Sequence, residues 1–245
     1  MRLGALDIEA VGEGVAAILP DGVTPESVAA VLGIDGVAVS PAAARDNGSV
    51  WLLSPRAIRV GSILVAPPGG TAAPGTLRLN DSQAFGTGHH PTTALCVEAL
   101  EEILATEQFA SILDVGTGSG ILALAGLTLG VRGAVGLDID AAALETAAEN
   151  ARLNHMEDRL QLVLGGPDAV EGNWPLVVAN VLAAPLIEMA PAIVRRLGRR
   201  GRLILSGISW SLESEVRRAY EHLGVRHTGS KTRAGWVVVK VQASW

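Results

Sequence analysis

The chain of 245 residues has one cysteine, two lysines and no uncharged apolar run long enough to cross a bilayer. Each shortage closes off a class of protein. With Cys96 alone, there is no internal disulfide and no cysteine cage for a metal. Cys96 falls in a segment of amphipathic spacing and reads as a small buried apolar residue. The start, "MRLGALDIEAVGEG", lacks the basic opening and continuous apolar stretch of a signal peptide. No later stretch approaches the roughly 18 to 20 apolar residues that span a membrane. The expectation is a cytoplasmic protein with no membrane association. Long basic runs are missing too: the formal net charge is −6. That balance argues against tight nonspecific binding to a nucleic-acid backbone and suits a basic partner. Lys231 and Lys240 are the only lysines, and Arg195, Arg196, Arg199, Arg200 and Arg202 cluster around a glycine-containing turn. A solvated helix end, where the helix dipole favours cations, accounts for such a cluster.

What is present is a core: 49% of the residues are apolar, enough for one large domain or one domain with a small appendage. From Ser111 onward, short runs rich in β-branched residues and leucine alternate with helical spacing. The runs are "SILDV", "GAVGLDI", "LQLVLG", "LVVANVL", "RLILSGI", "VRHTGSK" and "GWVVVKV"; "AALETAAENARLN" and "PLIEMAPAIVRRLG" are among the helical segments between them. Alternation of this kind predicts an α/β fold in which a mostly parallel sheet is covered on both faces. The last two runs are joined by too short a link for a crossover helix, so they form a hairpin, and the sheet ends in an antiparallel strand.

The first part reads as a small α+β unit. "VAAILPDG", "TPESVAAVLG", "GVAVS" and "GSVWLLS" predict strand, helix, strand, strand, with Thr24 capping the helix, Pro25 at its first position, and a turn at Asn47-Gly48. "APPGGTAAPGT", Ala66 to Thr76, is rich in proline and glycine and reads as a hinge. The expected division is residues 1–56 as the small unit, 57–76 as a strand and hinge, and 77–245 as the main domain.

Two glycine loops carry the chemistry. In "ILDVGTGSG" an apolar strand ends in Asp114, followed by Gly116, Gly118 and Gly120 and then the helical "ILALAGLTLG". Alternate glycines let a backbone pass close under a ligand, and the helix start offers free N–H groups to an anion. The dinucleotide fingerprint needs its third glycine at position 121, which here is Ile121. The spacing instead resembles the first motif of class I S-adenosylmethionine methyltransferases. Asp138, ending the strand in "VGLDID", suits ribose hydroxyls, which NAD and S-adenosylmethionine both possess, so it supports a nucleoside without choosing between them. Asp140 reads as a helix cap. Asn180, ending the strand in "VVANVL", is aimed at the crevice beyond the strand tips; it either accepts from an amine nucleophile or ties down its own loop. The second loop, "QAFGTGHHPTT", precedes the sheet and leads into a helix near Pro91, which makes it a cover: Phe85 offers an aromatic surface, Gly86 and Gly88 give backbone freedom, and Thr93 can hydrogen-bond into the site. Adjacent His89 and His90 lack metal-ligand companions, leaving a base or a helix cap as their roles.

At this point the chain resembles the ribosomal protein L-eleven methyltransferase family. "IRVGSILVAPP", "AFGTGHHPTT", "ILDVGTGSGILAL", "GLDID", "ENARLN", "ANVLAAPLIEMAP" and "GRLILSGI" follow that family's order over most of residues 58 to 240. The resemblance implies a Rossmann-like seven-stranded sheet and S-adenosyl-L-methionine as cofactor. It implies cofactor contacts at Thr93, Gly116, Asp138 and Asn180, with Phe85 and the glycine loop beside the reacting centre. It also implies methylation of lysine and N-terminal amines of a ribosomal protein, a reaction for which no direct nucleic-acid contact is required. A small-molecule methyltransferase, an NAD-dependent oxidoreductase and a non-catalytic cofactor-binding module are the competing readings. The chain departs from the family in having Asn80-Asp81-Ser82-Gln83 where an Asp-Pro-Gly usually precedes the Ala-Phe, and in a short N-terminal region without obvious similarity to the family's substrate-recognition domain.

Overall fold

The computed structural model describes residues 3–12, 14–46, 50–69, 73, 75–80 and 85–245. The turn at Asn47-Gly48 and the departure at Asp81-Ser82-Gln83 lie outside the described residues.

The N-terminal region begins with an antiparallel hairpin, β1 (Asp7–Val11) and β2 (Gly14–Ile18). Helix α1 (Pro25–Leu32) starts as its sequence predicts: Thr24 Oγ1 accepts from the Ser27 N–H at 3.3 Å, and Pro25 occupies the first turn. Gly33, at φ 68°, closes it, donating to the Ala29 carbonyl. The strand expected at "GVAVS" does not form: residues 36–40 have no pairing, and Val39 is 72% exposed. β-Branched residues favour a strand only where an edge is available to pair with. The short strands β3 (Ala44–Arg45) and β4 (Val50–Trp51) pair with each other instead. Next come β5 (Ile58–Val60) and β6 (Ile63–Ala66), a hairpin joined in parallel by β7 (Leu77–Arg78).

The main sheet follows α2 (Pro91–Leu104). In chain order come β8 (Ser111–Val115), α3 (Ile121–Thr128), β9 (Gly133–Asp138), α4 (Ala141–Leu153), β10 (Leu160–Leu164), β11 (Trp174–Asn180) and α5 (Ala183–Arg195). After these come β12 (Leu197–Ser209), α6 (Glu213–Glu221), β13 (Val225–Arg233) and β14 (Trp236–Ala243). The seven strands lie in the order β10-β9-β8-β11-β12-β14-β13. β14 runs antiparallel to both its neighbours, so the antiparallel strand is last in the chain but second from the edge of the sheet. The reason is legible in the side chains: Val237, Val238 and Val239 of β14 are all buried, as a central strand requires, whereas β13 is mostly polar and exposed.

Two apolar layers hold the sheet. Ile112, Val178 and Ile204 pack with α2 and α3 on one face; Leu113, Val177, Leu203 and Leu205 pack with α5 and α6 on the other. Each such fully buried side chain contributes about 1.5 to 3 kcal/mol of burial free energy. Tyr220, buried within the second layer, has its hydroxyl satisfied by the Leu186 carbonyl at 2.9 Å. The direction of strand succession reverses between β8 and β11, and open α/β sheets bind their ligands in the crevice at such a reversal.

Candidate functional site

The crevice is floored by the loop that leaves β8. Gly116 and Gly118 have φ of 71° and 55°, a region costly for side chains. Space is equally restrictive: a Cβ on Gly116 would run into Val181 Cγ1, and one on Gly118 would lie 2.5 Å from the Phe85 carbonyl oxygen. The loop amides, however, are not free. Gly116 and Thr117 both donate to the Leu137 carbonyl at 2.8 Å, Gly118 to Asp138 Oδ2 at 2.9 Å, Ser119 to the Phe85 carbonyl at 2.9 Å, and Gly120, which precedes the first residue of α3, to the Thr117 carbonyl at 2.8 Å. Of the helix-start donors, Ala123 N–H is taken by Asp114 Oδ2, so the loop amides before α3 and this one are already engaged. Asp114 stands behind the loop, with Oδ2 accepting from Ala123 N–H at 3.1 Å and Thr117 Oγ1 at 2.7 Å. Where ionised, this carboxyl opposes the positive potential that a helix start offers to an anion.

Asp114 is completely buried, and its Oδ1 has no partner. Burial pushes its pKa up to about 7, against a usual 3.8, and the nearby Asp138 charge acts in the same direction; the bonds from Thr117 and Ala123 oppose them. Asp114 is in register with Val178, and Asn180 follows two residues later on β11. Strand alternation puts both polar side chains on the face shared by Ile112 and Val178, the face that α2 covers. Thr93 sits in the first turn of α2, fully buried. Asn180 Oδ1 and Thr93 Oγ1, like Asp114 Oδ1, are buried acceptors without a partner. Asn180 therefore does not use that oxygen to tie down its own loop. Buried polar atoms are normally satisfied, so three orphaned oxygens around the strand reversal fit a ligand that brings hydrogen-bond donors.

At the end of β9, Asp138 receives Gly118 N–H on Oδ2 and the Asp140 N–H on Oδ1 at 3.0 Å. It is half-buried, and its neighbour Ile139 is 85% exposed, which marks the mouth of the crevice. Asp140 caps α4 by accepting from Ala142 N–H at 2.9 Å.

The second glycine loop lies directly on the first. Besides the Phe85 carbonyl contact, the Gly86 carbonyl accepts from Ser119 Oγ at 2.8 Å. The Phe85 ring meets His90 edge-on at a centroid distance of 5.3 Å, and His90 meets Trp236 at 5.0 Å. His90 is the N-cap of α2: its Nδ1 accepts from Thr92 N–H at 3.3 Å and contacts Thr92 Oγ1 at 2.7 Å. Burial lowers the pKa of both His89 and His90, against the opposing pull of the Asp46 charge. Among the described residues, no three His, Cys, Asp or Glu side chains converge as metal ligands.

Sequence reasoning missed the residues that brace this arrangement. Asn150 accepts from Asn80 N–H at 2.8 Å and donates to the Ser119 carbonyl at 2.8 Å, and Asn154, one turn later, brackets Arg78. Two asparagines four residues apart on one helix in "ENARLN" were the available signal. Asp46, forty positions before the loop it holds, gave none. Of the clustered arginines, Arg195 and Arg196 lie at the end of α5 and face Asp168, whereas Arg202 lies on β12 and pairs with Glu107.

Comparison with known proteins extends the picture. A family model described as "Ribosomal protein L11 methyltransferase (PrmA)" matches residues 54–244. A ribosomal protein L11 methyltransferase of Pelobacter propionicus is 36% identical over 209 residues, 82% of this chain and 68% of the relative. One from Methylococcus capsulatus is 41% identical over 191 residues, 76% of this chain and 64% of the relative. The chain thus matches about two thirds of these relatives' length. A crystal structure of ribosomal protein L11 methylase from Lactobacillus delbrueckii subsp. bulgaricus superposes with a TM-score of 0.69 at 27% identity, covering 76% of this chain and 97% of that one. A Streptococcus pneumoniae protein solved in complex with S-adenosyl-L-methionine shares the fold at 18% identity, with a TM-score of 0.50 over 60% of this chain and 71% of that one.

Proposed function

Because the chain belongs to the ribosomal protein L11 methyltransferase family, we propose that it uses S-adenosylmethionine to methylate amino nitrogens of a ribosomal protein. The observation that carries the reading is the buried Asp114 carboxyl behind a glycine loop whose amides are already spent. That combination repels the pyrophosphate of a dinucleotide and suits the cationic amine of a methionine tail. When bound, S-adenosylmethionine supplies an electrophilic methyl group on a sulfonium.

The protein's own residues then have defined tasks. Gly116, Gly118 and Gly120 keep the floor open, Asp114 and Thr93 answer the donors of the amino-acid tail, and Asp138 uses its remaining lone pairs on the sugar hydroxyls. Phe85 and Gly86 close over the reacting centre and exclude water. Asn180 Oδ1 accepts an N–H from the incoming amine, turning the nitrogen lone pair toward the methyl group, so positioning supplies much of the acceleration. The amine must arrive neutral. That costs roughly 4 kcal/mol for a lysine near pH 7.4 and under about 1 kcal/mol for an N-terminal amine. His90 is committed to its helix cap and is packed on two sides by rings, so the proton goes to water before the site closes.

Residues 1–56 would meet the protein target. Asp21, Glu26 and Asp35 are exposed there, Arg56 is paired with Asp7 and Glu9, and Leu6, Ile8 and Val15 of the β1–β2 region are half or more exposed. An acidic surface with apolar contacts suits a basic ribosomal protein in the cytoplasm. No helix among the described residues is long and apolar enough to cross a membrane. The test is incubation with methyl-labelled S-adenosylmethionine and purified L11, followed by peptide mass spectrometry. Label on lysine or N-terminal amines is expected; an unlabelled protein under conditions where the donor binds would overturn the substrate assignment.

A further inference from the structure

We propose that Asp46 is a positioning residue that clamps residues 85–87 onto the cradle and so governs how long the cofactor is retained, an inference that rests on the methyltransferase reading above. Asp46 belongs to the N-terminal unit, immediately after β3, yet it is only 1% exposed and its carboxylate is turned into the main domain. Oδ1 accepts the N–H of Gly86 at 2.8 Å and of Thr87 at 3.1 Å, and Oδ2 accepts Thr87 Oγ1 at 2.7 Å. The His89 N–H donates to the same Thr87 hydroxyl at 3.3 Å, which leaves the hydroxyl proton committed to Asp46.

The opposite side of this short segment is bonded to the cradle. The carbonyls of Phe85 and Gly86 accept from Ser119 N–H and Ser119 Oγ. The segment is therefore held between two sets of bonds, one to the glycine floor and one to a single carboxylate from a different structural unit. Hydrogen bonds to an ionised acceptor are the stronger kind, and three converge here. The backbone of Asp46 supports a specific role: its φ of 49° is left-handed, a conformation that a non-glycine residue holds at a cost and that aspartate tolerates better than most. Without the carboxylate, the buried Gly86 N–H, the partly buried Thr87 N–H and a hydroxyl lose their acceptor, while the cradle-side bonds of the segment remain.

The clamp is tested by the release rate of S-adenosylhomocysteine from the full chain, measured by stopped-flow competition, for the wild type, Asp46→Ala, Asp46→Asn and Thr87→Val. Asp46→Ala is expected to release the ligand about tenfold faster, the effect of losing about 1.4 kcal/mol of retention. Thr87→Val, which removes one of the three bonds to Asp46 together with the acceptor of the His89 N–H, should raise the rate about threefold. Asp46→Asn keeps an oxygen for the two amides and should return the rate to within about threefold of wild type, a rescue that a change in global stability alone would not produce. Wild-type release rates in both Asp46→Ala and Thr87→Val overturn the proposal; if Asp46→Ala fails to fold, Thr87→Val decides. A wild-type chain that binds no S-adenosylhomocysteine would overturn the methyltransferase reading and this inference with it. A binding wild type with unaltered variants overturns this inference alone.

Discussion

The backbone N–H of Ser119 donates to the carbonyl of Phe85 at 2.9 Å, and this bond makes the two glycine loops a single unit. One loop ends a strand of the main sheet and the other precedes the sheet altogether, yet Gly118 can take no Cβ without striking the Phe85 oxygen. The cover is packed to the backbone of the floor, and a change in either loop is felt in the other.

Gly118→Ala measures that coupling. It adds a left-handed alanine, costing about 1 to 2 kcal/mol, to a contact of 2.5 Å with a backbone oxygen that cannot rotate away. Gly33→Ala is the control: its φ is 68°, close to that of Gly118, and nothing lies within 4 Å of the added carbon, so it carries backbone strain alone. In urea unfolding, Gly118→Ala should cost at least about 1 kcal/mol more than Gly33→Ala and should also weaken S-adenosylhomocysteine binding. Equal costs with unchanged binding would show that the loops are not coupled.

Asn180→Ala separates positioning from binding. Removing an oxygen that acts on the incoming amine should lower kcat about 100-fold, while cofactor affinity, measured by calorimetry, falls less than about tenfold. A loss confined to cofactor affinity, with kcat intact, would move Asn180 from the reacting centre to the binding site.

Much of this site was legible because its signals are local. "SILDV" followed by alternate glycines fixes a strand, a turn and a helix start within a dozen residues, and Asp140 or Thr24 caps a helix that begins at the next position. What was not legible depends on distant partners. "GVAVS" has strand composition but finds no edge, and Asp46 acts on a loop forty residues away with nothing in its own neighbourhood to announce it. Whether the loop amides are free is decided by Leu137, Asp138 and Phe85, none of which belongs to the motif. The edge position of β13 was within reach, since its polar sequence beside the all-valine stretch of β14 ranks the two strands by burial.

His90 gives the cover an acid limit. Its folded pKa is lowered from the usual 6.5 by burial, and its Nδ1 must be unprotonated to cap α2. A histidine held neutral contributes stability that is present above the unfolded value and lost as pH falls from about 6.5 toward the folded value. His90→Asn keeps a capping acceptor but has no proton to gain. Urea midpoints at about pH 8 and about pH 5.5 should therefore fall more between the two conditions for the wild type than for His90→Asn. Parallel declines would place the acid sensitivity elsewhere.

Asp114 titrates in the opposite sense, and its behaviour discriminates between ligands. Below pH 3.8 both the folded and the unfolded chain hold its proton; between 3.8 and about 7 the unfolded chain releases the proton and the folded chain retains it. Stability contributed by this group therefore declines as pH rises through that window, by up to about 4 kcal/mol, and Asp114→Asn should flatten the decline. A cationic amine set against Oδ1 favours the ionised form, so binding near pH 7 should release a proton, whereas an anionic ligand would draw one in. Calorimetry of S-adenosylmethionine in buffers of different ionisation enthalpy reads the sign directly. Release in the wild type and none in Asp114→Asn is the expected result. Uptake, or the same release in both, would mean that the methionine amine is held somewhere other than against Asp114.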